Sequence, residues 1–199
     1  FVTISAAAVL IVPGLIATSR TETLSPRSID PSNTWDGAVV EKLSQEGNEF
    51  ISTETAGQTL AVKMSTPKDC SGEIEGITVK ATSFASQNGD DVVLGVTGHP
   101  PEPKEEVSNN SQQPSTHSVS FPTSPNGDAW TCEELKNLVT TVQNFSQPAD
   151  ESQPDSANLL TNGNKEGSET ETIQHEWRVY SVWAEVTFTK QESEINQRS

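Results

Sequence analysis

Three histidines (His99, His117, His175), two cysteines (Cys70, Cys132) and 28 acidic residues are the side chains with which this 199-residue chain could do chemistry. Two cysteines cannot complete a four-ligand zinc site, and the histidines stand at no ligand spacing. One disulfide is conceivable, although separation along the chain says nothing about proximity. Cys132 falls near an expected helix start, where a thiolate is favoured. No base is arranged beside it in sequence, so it reads as structural. Asp90-Asp91, after Asn88-Gly89, could supply oxygens to calcium, but a turn with solvated acids is the simpler reading. Glu105-Glu106 and the acids of 150–171 read as loop charges, and no two carboxylates stand out as a glycosidase pair. There is no phosphate-binding loop, dinucleotide fingerprint, H-E-x-x-H or nucleophile elbow. Trp35, Trp130, Trp177 and Trp183 could stack on sugars, yet each falls in an expected strand or at the helix entry, which points to core packing. Asn109 and Asn144 head N-x-S triplets. The expectation is a protein with no catalytic residues, metal or cofactor.

What must position these side chains is a thin core. Only 32% of the residues are hydrophobic, and the net charge is −16, from 28 acids against 12 bases. That balance argues against nucleic acid or an anionic membrane as partner. Twelve Gly and 12 Pro among many Ser, Thr, Asn and Gln describe a loop-rich all-β chain.

Along the chain, Thr21–Leu24 reads as a short strand stopped by Ser25-Pro26, and Ser28–Asn33 as a turn-rich stretch. Trp35 and Ala38–Leu43 follow, with a turn at Gly47, then Phe50 and Ile51 in Glu49–Thr53. Thr59–Met64 alternates, with Leu60, Val62 and Met64 on one face. Glu73–Phe84 alternates too, and Gly76 marks an edge or bulge. Asn88-Gly89 favours a hairpin turn before Val92–Val96. Val119–Phe121 is a further strand and Ser124–Gly127 a turn. Thr131 and Glu134 form a capping box for a helix from Cys132 to about Gln143, packing Leu135, Leu138 and Val142 on the sandwich edge. The last strand, Glu176–Thr189, places Trp177, Val179, Ser181 and Trp183 on one face and Arg178, Tyr180, Val182 and Ala184 on the other. Pro100–Thr116 and Gln147–Ser168 carry little to bury and read as outward-facing polar loops. The whole predicts an antiparallel β-sandwich of jelly-roll type with one short helix and long polar loops. Its expected core includes Trp35, Trp130, Leu135, Leu138, Trp177 and Trp183.

The division expected is an apolar arm or strand at 1–20, a sandwich domain at 21–190, and a polar, frayed tail at 191–199. The chain begins at Phe1 without Met, which reads as trimming or cleavage. Ala6–Ala17 is too short to span a bilayer and is interrupted by Pro13-Gly14. Its Val9, Leu10, Ile11, Val12, Leu15 and Ile16 are expected to be buried, in this sandwich or as an arm in a neighbouring subunit. Phe1 and Gly14 resemble type IV pilins, but Ser5 stands where those carry Glu, and the apolar run stops at Ser19-Arg20.

The order TETLSP, NTWDG, EFIST, TLAVKMSTP, GEIEGITVKA, SPNGDAWTCEELKNLV and WRVYSVWAEVTFT, over Thr21–Thr189, resembles a jelly-roll-like module of tailed-phage virion proteins. Decoration, minor capsid and fibre components carry such modules. The resemblance implies a non-catalytic subunit in a virion that assembles with copies of itself or with other structural subunits. It brings no functional residues with it. An exported cell-surface filament subunit, joined by N-terminal strand addition, and a carbohydrate-binding module that meets surface glycans are the alternatives from other classes.

Overall fold

A computed structural model of the protein describes residues 10–12, 15–43, 49–87, 90–99, 107–108, 113–146 and 175–193. Its strands are β1 (Leu10–Val12), β2 (Leu15–Leu24), β3 (Pro26–Ile29), β4 (Ile51–Thr53), β5 (Thr59–Met64) and β6 (Glu73–Ala85). After them come β7 (Asp90–Val96), β8 (Val107–Ser108), β9 (Ser115–Phe121), the helix α1 (Cys132–Lys136), β10 (Val139–Ser146) and β11 (Trp177–Ser193). Val40–Leu43 is a single 3-10 turn that buries Leu43.

Two antiparallel sheets form. Sheet A runs β1-β2-β11-β6-β9, with β4 also on β11, and sheet B runs β3-β5-β10-β7-β8. The pairing is nested: β2 with β11, β5 with β10, β6 with β9, and β7 with β8. Contacts β11·β6 and β10·β7 then close each sheet. Such nesting is an antiparallel ribbon rolled up on itself, which is the jelly roll. Its inner faces bury one continuous apolar cluster that includes Leu24, Leu60, Val62, Val79, Val92, Val142, Trp177 and Val186.

The core holds Trp35, Trp130, Leu135, Leu138 and Trp177 as expected, but Trp183 is a correction: it is half-buried and outside the core. Its displacement has a cause in register. Val179 pairs Ser83 and Ser181 pairs Thr82, so Tyr180 is an extra residue on β11. Such a bulge reverses the alternation. Trp177 and Val179 point inward before it, whereas Val182, Ala184, Val186 and Phe188 do so after it. A second irregularity lies beside Gly76, where Glu75 is extra on β6, so Ile74 and Ile77 share the buried face.

The helix is shorter than expected. It ends at Lys136 with Asn137 as C-cap, and Val139–Ser146 is extended, lying between β5 and β7. Val139, Thr140, Thr141 and Val142 are all β-branched, which penalises a helix and suits a strand. Helical and strand spacing both bury Val142. The neighbouring strands decide between them. The capping box itself is present, with Thr131 Oγ1 accepting from the Glu134 backbone N–H and Glu134 accepting from that of Thr131.

The boundary drawn at residue 20 falls inside β2, which pairs β11 from Leu24 to Leu15. Residues 191–193, expected in the frayed tail, belong to β11. Asn88-Gly89 and the whole of 147–168 lie outside the described residues, as does most of Pro100–Thr116. One close approach needs glycine. Gly72 has φ +105°, and a Cβ there would lie 2.8 Å from the Thr189 carbonyl oxygen.

Candidate functional site

Of the expected assembly arm, Val9 lies outside the described residues. Leu10–Val12 form β1 and Leu15 and Ile16 begin β2, in register as a hairpin, Leu10 with Ala17 and Val12 with Leu15. The hairpin stands at one end of sheet A, and β1 pairs only β2 among the described residues. An apolar strand on an open edge has unpaired backbone groups to offer another chain.

The two cysteines, whose pairing the sequence left open, form a disulfide with Cα atoms 6.0 Å apart. Cys70 lies in the crossover from β5 to β6, and Cys132 in α1, within the crossover from β9 to β10. The bond therefore clasps two passages between the sheets at one end of the sandwich. Trp130 packs at that end and donates its indole N–H to the Phe121 carbonyl, 2.9 Å away. The Thr131 hydroxyl is the first cause holding the Glu134 carboxyl below its ordinary pKa.

At the opposite end, Asp90 and Asp91 are not the solvated turn acids expected: they are 1% and 4% exposed. Ser146 donates to Asp90 Oδ1 at 2.6 Å, and His175 Nδ1 lies 2.9 Å from Asp90 Oδ2. The His175 ring stacks on Trp177, 5.8 Å between centroids. A serine, a histidine and an aspartate thus meet, but not as a hydrolytic triad. There the hydroxyl and the carboxylate sit on opposite imidazole nitrogens, whereas here Asp90 and Ser146 both lie on Nδ1, Ser146 at 3.5 Å. The cluster instead gathers Ser146 and His175, the residues flanking 147–174, onto one buried carboxylate. The Asn144 triplet is likewise turned inward. Its side chain is fully buried, accepting from the Gln58 N–H and donating to the Thr55 carbonyl, so the folded chain offers no amide for glycosylation there.

The outer face of sheet A carries a group of large side chains outside the core. Arg178 lies over Phe50 at 4.7 Å and Phe84 at 5.3 Å, and Phe50 meets Tyr180 at 5.5 Å. Glu176 takes two hydrogen bonds from the guanidinium, at 2.9 and 2.6 Å, and raises its pKa further above the ordinary value. Beyond the bulge, Trp183 stands in register with Lys80. Lys80 Nζ donates to Glu185 Oε1 at 2.8 Å, and Trp183 Nε1 reaches the same oxygen at 3.4 Å. The outer face of sheet B is different: a groove of about 350 Å3 is lined by Thr59, Val93, Gly95, Thr141, Gln143 and His99.

Sequence reasoning missed the Arg178 and Lys80–Glu185 groups and the His175–Asp90 contact. Arg178 and Tyr180 interrupting an apolar strand were the available signal for the first. Nothing local marks the others, whose members lie 105 and 85 positions apart. Among the described residues no three His, Cys, Asp or Glu side chains gather as a metal site, and no helix is long and apolar enough to cross a membrane. Compared with known protein families and with curated proteins, the chain matches none.

Proposed function

We propose that this protein is a non-catalytic structural subunit of a virion or virion appendage, of the decoration, minor-capsid or fibre kind. It works by holding and presenting surface, joined to copies of itself or to other structural subunits. The observation that carries the reading is the open, apolar β1 edge of a jelly-roll sheet, bonded on one side only among the described residues. Edges of this kind are normally covered or charged in monomeric proteins, and strand addition across them supplies a ladder of backbone hydrogen bonds. The disulfide supports a site of action outside reducing compartments, virion surfaces included. An exported filament subunit joined by the same edge is the second reading, favoured by the same strand.

The experiment is light scattering and electron microscopy on the full chain beside a variant lacking residues 1–13, which removes β1 and spares β2. The full chain is expected to form oligomers and the variant monomers of unchanged circular dichroism. As a second check, Ile11→Pro removes one backbone donor from β1 and should weaken association in the same direction. A monomeric full chain, or unchanged assembly in both variants, overturns the reading. Extended single-file polymers support the filament; closed shells or decoration of capsids support the virion.

A further inference from the structure

We infer that the outer face of sheet A binds a neutral saccharide at Trp183, Lys80 and Glu185. The first observation is the bulge. Uninterrupted alternation from Trp177 would have sent Trp183 into the core, and the extra Tyr180 turns it outward instead. Bulges recur where a strand re-aims a side chain toward a site. The second is the place. On the side of β11 away from β6, β4 pairs residues 177–179 and β2 pairs 184–193, so residues 180–183 have no strand partner there among the described residues. Trp183 ends that stretch.

The third is the chemistry gathered around the indole. An indole face accepts the C–H face of a pyranose ring, an apolar contact with a polar rim. Adjacent sugar hydroxyls each donate and accept, so a carboxylate beside an ammonium matches a vicinal diol. Lys80 and Glu185 are such a pair, their side chains 28% and 31% exposed and therefore reachable. Glu185 Oε2 takes no hydrogen bond from the described residues, and the ammonium has donors beyond the one it uses. Hydroxyls extend the same surface: Thr78 bonds Ser120 at 3.0 Å, and Thr82 bonds Thr116 at 2.8 Å. An anionic glycan would meet Glu185 on a chain of net charge −16. An apolar protein partner would have to desolvate the Lys80–Glu185 pair.

The test titrates the full chain with maltohexaose, cellohexaose, mannohexaose and a sialylated oligosaccharide, read by calorimetry and tryptophan fluorescence. At least one neutral probe should bind, with a fluorescence change that Trp183→Ala abolishes. Trp183→Ala, Lys80→Met and Glu185→Gln should each weaken binding by roughly tenfold or more, the equivalent of one lost good contact. Melting of the three variants close to that of the parent excludes a folding defect. No binding by any neutral probe, binding only by the sialylated probe, or full affinity in Trp183→Ala overturns the proposal. A change of oligomeric state in Trp183→Ala, without sugar binding by the parent, makes this face a subunit contact and also overturns it. The variant lacking residues 1–13 keeps the site, so loss of assembly and loss of sugar binding are separately read.

Discussion

The two ends of the sandwich are closed by different means. At one, Cys70–Cys132 and the capped helix α1 tie two crossovers together covalently. At the other, Asp90 holds Ser146 and His175, the roots of residues 147–174, by hydrogen bonds to a buried carboxylate. The contrast is between a covalent tie and a hydrogen-bonded one, each holding together segments far apart in the chain. An anchor made of charge-assisted bonds depends on every member, because an unpaired buried carboxylate is costly. A covalent clasp does not share that dependence.

Replacing both cysteines by serine should have the largest effect. It restores freedom to a loop with a sequence separation of 62, and cross-links of this kind contribute roughly 2–4 kcal/mol. Urea denaturation under oxidising conditions checks it. A loss below about 1 kcal/mol would mean that packing around Trp130 and Leu135, not the bond, closes this end.

Asp90→Ala should come next. It removes two hydrogen bonds to a charged group, each worth about 1.5–3 kcal/mol at most, and the net loss should lie near the lower part of that range. Hydrogen exchange supplies the sharper readout. Amides of Asn144–Ser146 and Asp91–Val92 should exchange faster, while those of α1 stay unchanged. Equal acceleration at both ends would show that they do not hold independently.

Thr131→Ala should be the smallest, at about 1 kcal/mol, through loss of the cap. In a helix as short as Cys132–Lys136 the cap orders most of the element. The loss should therefore shrink in the cysteine-free background if cap and disulfide hold the same end. Strictly additive losses in the double-mutant cycle would separate them.

How much of this was legible in advance depends on the range over which each feature is decided. β5 was readable to its ends, because Leu60, Val62 and Met64 alternate without interruption. The capping box was readable because Thr131 and Glu134 act within one turn. The extent of α1 was not, since Leu138 and Val142 suit either period and β5 and β7 settle the matter by pairing with β10. The site residues divide the same way. Trp177 and Trp183 have the same local alternation, and only the single residue Tyr180, extra against β6, separates core from surface.

By itself, then, the sequence determined an all-β chain, the strand-forming segments with unbroken alternation and the helix start. These follow from side-chain periodicity and from groups that meet within a few residues. The tertiary structure alone decided the nested strand order, the Cys70–Cys132 bond, the burial of Asp90 beneath His175, and the outward face that Trp183 shares with Lys80 and Glu185. Each of those joins residues far apart in the chain. Which of them meet is set by sheet register, and a register is a property of two strands together, never of one.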